Sequence, residues 1–285
     1  MRTVSLLLLL AISAPSLSSQ QKVQRGFPLN RDGSIRIQVP AGRLVVRGWD
    51  RDSVSVTGSV PAGGGSFYGG GRGEAAKLGV ETDPGGAGPG ASLEVQVPHG
   101  ARLWIKTATP GVELSQVDGE VDVLSVNGAI RMDGNPRVAS LESIDGPIDV
   151  TAISPILRLR SSDGRVTVRT RGGDLTVVTV GGAVDVAVEM LDRARLESVA
   201  GSVAFVGGLG RGAALEAETH GGDIGLRITG EVNADFHLAA PSGTIINQFG
   251  PGIRQAKATT VEFAVGLPGA SVSARTFKGT IRVGR

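Results

Sequence analysis

Residues 115–134 read SQVDGEVDVLSVNGAIRMDG. Apolar residues stand at the second and fourth positions after Gly119, as Val121 and Val123, and the spacing returns after Gly128 with Ile130 and Met132. A period of two sends alternate side chains to one face, the pattern of a strand and not of a helix. A strand this short must turn. Glycine permits the turn through a positive φ or through close approach of another backbone segment. Asp118 and Asn127, just before these two glycines, suit side-chain bonding to the turn backbone, as do Asp145 and Asp163 further on.

The motif recurs at Gly119, Gly128, Gly146, Gly164, Gly173, Gly182, Gly201, Gly222, Gly243 and Gly279, at intervals of 9, 18, 18, 9, 9, 19, 21, 21 and 36 residues. Where the interval is near 18, a second alternating run fills the gap, as in RVASLES (137–143), ILRLRSS (156–162), ARLESVA (194–200), ALEAETH (214–220) and ADFHLAA (234–240). Each unit is two short strands and two turns. A period of about 18–21 residues repeated this often predicts an all-β chain folded as a β-solenoid, or β-helix, in which no single unit buries its own apolar face. One inward ladder would be Ile130, Met132, Ile148, Val150, Val166, Val168, Val184, Val186, Val203, Phe205, Ile224, Leu226 and Ile245. Leu141, Leu157, Leu159, Leu175, Val177, Leu196, Leu215, Phe236 and Leu238 would face it. A β-sandwich also gives short strands with turn signals, but its strands rarely share one motif so many times.

The N-terminus reads differently. MRTVSLLLLLAISAPSLSSQ, residues 1–20, has an early cation at Arg2, an apolar run from Leu6 to Ile12 and small residues beyond, the form of a secretory signal peptide. That run is far shorter than a membrane-spanning helix requires, and no second one follows, so a soluble exported chain is expected. Cysteine is absent, which excludes disulfides and cysteine metal sites. The formal net charge is only +2, with signs interspersed, which argues against nucleic acid as the main partner. The 44 glycines follow no collagen period, and with 40% apolar residues the chain is not disordered overall.

Residues 21–30 read as a linker and 31–285 as one β domain. Within it, 61–90 is so rich in glycine that it predicts a long mobile loop, with Phe67 and Tyr68 at its tip as candidate ligand contacts. Trp49 and Trp104 read as packing residues at unit edges. Gly71, Gly73 and Ala76 fit the letters of a dinucleotide fingerprint but lack its strand and helix context. His99, His220 and His237 have no helical pair spacing, so no metal site is expected, nor any cofactor. Outward residues such as Arg131 and Asp149 are expected to form surface pairs of small energetic weight.

The stretch SIRIQVPAGRLVVRGWDRDSVSV (34–56), followed by repeated V-x-G-x-V-x-V units, resembles a bacterial family of putative adhesins carrying a domain of unknown function and similar to head-domain adhesins. The resemblance covers roughly residues 30–285. It implies a periplasmic or cell-surface β-solenoid without a known active site. The expected function is therefore a non-enzymatic adhesin or envelope-binding scaffold whose partner is an envelope component, glycan or protein. A polysaccharide-active enzyme on the same scaffold is one alternative. End-to-end self-assembly is the other, through the last strand, GTIRV, as an unpaired edge.

Overall fold

A computed structural model describes residues 20–82, 89–249 and 259–285. The expected signal peptide lies almost wholly outside them. The chain forms 24 β-strands joined in one hydrogen-bonded sheet, and among the described residues there is no helix and hence none able to cross a membrane.

The strands fall into two arrays. The first runs Ser66–Arg72, Ala75–Glu81, Ser34–Val39, Arg102–Thr107, Glu120–Ser125, Val138–Ser143, Ile156–Ser161 and Asp174–Thr179. The second runs Gln21–Pro28, Ser53–Val60, Ala91–Pro98, Gly42–Trp49, Gly111–Ser115, Ile130–Gly134, Ile148–Ala152 and Val166–Thr170. Val184–Ser198 and Val203–Thr219 are long enough to run through both arrays. They join the arrays into a nearly closed, barrel-like sheet around one apolar core. All the inward residues named from the sequence are buried in it.

Pairing in the middle is parallel, with Glu120, Val138, Ile156 and Asp174 in register 18 residues apart. What holds that register is a column of glycines at one corner. At Gly128, Gly146, Gly164, Gly182, Gly201, Gly222, Gly279 and Gly243, an added Cβ would overlap a backbone carbonyl oxygen of the unit beneath, in most cases that of the previous glycine. None of the eight has a positive φ, so close approach is the reason for glycine here. Gly119 and Gly173 stand at the opposite corner, before strands of the first array, which explains the 9-residue intervals as half-units; Gly173 has φ +103°.

A second column lies beside the first. Ser125, Ser143, Ser161, Ser198, Thr219 and Thr276 are buried, and each hydroxyl accepts the N–H of the glycine three residues later at 2.9–3.1 Å. Thr179 instead donates to the Gly182 carbonyl at 2.7 Å. In the preceding unit Pro110 occupies the glycine position and has no N–H to give. Correspondingly, Thr107 Oγ1 is buried without a hydrogen-bond partner.

Three expectations are corrected. Residues 21–30 are not a linker, because Gln21–Pro28 pairs antiparallel with Ser53–Val60 and Leu29 is fully buried. Nor is 61–90 a continuous loop, since Ser66–Arg72 and Ala75–Glu81 form a hairpin whose Ala76, Leu78 and Val80 enter the core; residues 83–88 lie outside the described set. The last strand, Thr280–Gly284, is not a free edge: it lies between Ile224–Ile228 and Thr244–Asn247. In the first array, Ala270–Thr276 likewise lies between Val203–Thr219 and Ala234–Ala239, with Thr260–Val265 antiparallel outside. The physical reason is local. Thr276 offers the hydroxyl that bridges Gly279 and the Gly222 carbonyl, whereas Ala240 stands at that position before Gly243. Asp223 fixes the insertion by accepting the Thr280 N–H at 2.7 Å and pairing with Arg282 at 3.2 Å.

Gly164→Ala is expected to destabilise the fold by about 1–3 kcal/mol through overpacking, while Gly225→Ala, with open space around it, should stay within about 0.5 kcal/mol. Thr179→Val should cost about 1–3 kcal/mol, and Thr107→Val should be neutral or stabilising; denaturant midpoints check all four.

The Thr280 amide, then Arg282, holds the Asp223 carboxyl below its ordinary value against an opposing desolvation effect. This stabilisation is present above the unfolded carboxylate pKa and is lost as pH falls through the depressed one. Asp223→Asn should therefore melt below wild type at neutral pH, with the gap closing in acid.

Candidate functional site

The hairpin strand Ala75–Glu81 pairs with Ser34–Val39, which pairs with Arg102–Thr107. Ala76, Leu78, Ile35, Ile37, Leu103 and Ile105 point inward and are buried. Alternation then turns Lys77, Arg36, Gln38, Arg102, Trp104 and Lys106 outward. The register sets these into rows across strands about 4.8 Å apart. One row is Lys77, Arg36, Trp104 and Asp122; the next is Tyr68, Gly79, Gln38 and Lys106.

Each aromatic ring has a specific seat. Tyr68 lies over Gly79, where a Cβ would stand 2.7 Å from the phenol oxygen, so glycine makes room for the ring. Burial, and then the charge of Glu81, push the Tyr68 phenol above its usual pKa. Trp104 is 40% exposed, with the Arg36 guanidinium 5.8 Å from its ring centroid. Asp122 is its register partner on the other side, and its carboxyl is raised by partial burial and by Glu142.

Elsewhere many outward cations are neutralised across strands, as in Arg43 with Glu113, Arg131 with Asp149 and Arg165 with Asp185. Among the described residues, Arg36, Lys77, Arg102 and Lys106 have no carboxylate in ion-pair range. Four free cations and two rings thus share one face. Beside them Gln38, Pro40, Tyr68, Gly70, Lys77 and Glu81 line an open hollow of about 790 Å³.

The residues singled out from the sequence separate here. Tyr68 belongs to the face, while Phe67 turns inward and packs against the core. The turn glycines lie at the corners and serve the fold. Trp49 is half-buried, with its indole N–H donating to the Ser53 carbonyl at 2.7 Å, but Trp104 is not a packing residue. Its exposure was readable in RLWIKT (102–107), where it is in phase with Arg102 and Lys106 and out of phase with Leu103 and Ile105.

His99, His220 and His237 are far apart in role. His99 Nδ1 is 2.6 Å from the Gln116 carbonyl, His220 stacks on Phe277 at 5.0 Å, and His237 pairs with Glu262 at 2.9 Å. Among the described residues no three His, Cys, Asp or Glu side chains form a metal-binding group. A second groove of about 580 Å³ crosses the opposite corner, between Asn135, Ile153, Arg171 and Glu189, but its floor is aliphatic and carries no ring.

No family model matches the chain, and no curated protein matches it in sequence. Among solved structures it is similar to that of a putative cell adhesion protein from Clostridium sporogenes, at 7% identity and a TM-score of 0.20, over 92% of this chain and 99% of that one. A likeness at that score carries no argument.

Tyr68 is the chain's single tyrosine, so tyrosinate absorbance reports it alone. Glu81→Gln should move its titration down toward the ordinary value, and an unchanged midpoint would remove Glu81 from the site.

Proposed function

We propose that the chain is a non-enzymatic β-solenoid, exported from a bacterial cell, that binds a polymer of the cell envelope through this outer face. The observation that carries the reading is the set of unneutralised cations Arg36, Lys77, Arg102 and Lys106 lying between two seated rings. A sheet face of this kind offers a flat contact, and its groups are held by strands whose inward residues are locked in the core. Export rests on the leader-like residues 1–20. The solenoid reading rests on the 18-residue parallel register and on strands that pair with the second strand along in sequence.

A second reading, a polysaccharide-active enzyme, is favoured by one observation: the Asp122 carboxyl, raised by burial and by Glu142, stands beside Trp104. A carboxyl that holds a proton near neutrality is suited to acid catalysis.

The test is capture of polysaccharide from an envelope extract by the purified protein and by its Arg36→Ala/Lys77→Ala variant. The proposal expects capture by the wild type, at least about tenfold weaker in the variant, and a polymer recovered at its original length. Equal capture by both proteins would remove the face from the account. Shortening of the polymer that disappears in Asp122→Asn would replace binding with catalysis.

A further inference from the structure

The chemistry of the face is selective among polymers. Tyr68 and Trp104 stand at its two ends, on the outermost strand and on the third strand inward from it, with Lys77 and Arg36 in register between them and Lys106 one row away. Each ring also has a carboxylate at its side. Glu81 lies beside Tyr68, and Asp122 is in register with Trp104. A neutral glycan would use the rings and carboxylates but leave four cations without a counter-charge. A nucleic acid would satisfy the cations and could stack on the rings, but its closely spaced phosphates would have to pass both carboxylates. An acidic sugar chain satisfies every group. Its C–H faces lie on the rings, its hydroxyls donate to Glu81 and Asp122, and its anionic groups meet the lysines and arginines.

Strand spacing adds a second constraint. Neighbouring outward residues recur about every 4.8 Å across a sheet, close to the length of one sugar unit along an extended chain. Rows of groups at that repeat suit a linear polymer lying across the strands better than a branched or compact one.

Resting on the binding role above, we infer that the ligand is a linear acidic polysaccharide lying across strands Ser66–Arg72, Ala75–Glu81, Ser34–Val39 and Arg102–Thr107. Tyr68 and Trp104 carry its sugar faces, and Lys77, Arg36 and Lys106 carry its anionic groups. Carboxylate and sulfate share this chemistry, and the probes separate them.

Calorimetric titrations of the full protein would use polygalacturonate, its fully methyl-esterified form, a sulfated galactan and single-stranded poly(dT). The inference expects polygalacturonate or the sulfated galactan to bind, with the esterified polymer and poly(dT) each at least about tenfold weaker. Added salt should weaken the acidic polymer. Lys77→Ala/Arg36→Ala and Trp104→Ala should each weaken it by about tenfold or more, whereas Arg158→Ala, an exposed cation of the same array outside the face, should change nothing. Unchanged melting temperatures confirm that the variants fold.

Equal binding of the esterified polymer overturns the inference in favour of a neutral glycan, and poly(dT) binding as tightly overturns it in favour of a nucleic acid. If neither acidic polymer binds while envelope polysaccharide is still captured, this inference fails and the binding role stands. If capture fails too, both fall.

Discussion

The structure depends on how closely successive turns approach at one corner. There the backbone of each unit passes so near the carbonyl oxygen of the last that no Cβ fits, and glycine recurs from Gly128 to Gly279 and Gly243. The hydroxyl three residues earlier meets the glycine backbone in most of these turns, so the corner is narrow, buried and hydrogen-bonded at once. A corner so constrained cannot absorb extra residues. Length variation appears instead at the opposite corner, where Val184–Ser198 and Val203–Thr219 carry register shifts and the repeat grows from 18 to 19 and then 21 residues.

The candidate site follows from the same rigidity. Parallel strands in fixed register turn a sequence alternation into straight rows of side chains on the outer face. In the middle of the protein those rows include opposite charges that pair across strands, as at Arg131 and Asp149. Toward the N-terminal end the hairpin adds Tyr68, Gly79 and Lys77 to rows already holding Arg36, Trp104 and Lys106, and there the cations go unpaired. An ion pair on an exposed sheet contributes little to stability, so leaving these cations unpaired costs the fold little and leaves the charges available to a partner.

Much of this was legible in the sequence, and the rest was hidden for identifiable reasons. The period of two and the glycine interval gave the strands, the inward ladders and the 18-residue unit. The hydroxyl column was equally visible, in Ser125-Val-Asn-Gly, Ser143-Ile-Asp-Gly and Thr276-Phe-Lys-Gly, but passed unread because the attention fell on Asp and Asn before the glycine. That column also carried the clue to the C-terminal order, since Ala240-Pro-Ser-Gly lacks the hydroxyl. The capping strands were harder. Gln21–Pro28 and Ser66–Arg72 pair antiparallel with partners fixed by long-range contact, and neither shows the repeat. Glycines at 69–71 suggested a loop, although next to Phe67 and under a neighbouring strand the same residues extend. The site itself joins segments some 25 to 40 residues apart in sequence, so Trp104 could be seen to face outward but not to stand beside Arg36.

The two tryptophans allow the central claim to be tested by one titration. Trp49 has its indole N–H bonded to the Ser53 carbonyl, whereas Trp104 stands exposed on the proposed face. Indole N–H resonances of the isotope-labelled protein, followed as a short acidic oligosaccharide is added, therefore report on two separate places. The account predicts that the Trp104 signal shifts with saturation while that of Trp49 stays in place. Binding that leaves Trp104 unmoved would contradict it and place recognition elsewhere on the molecule.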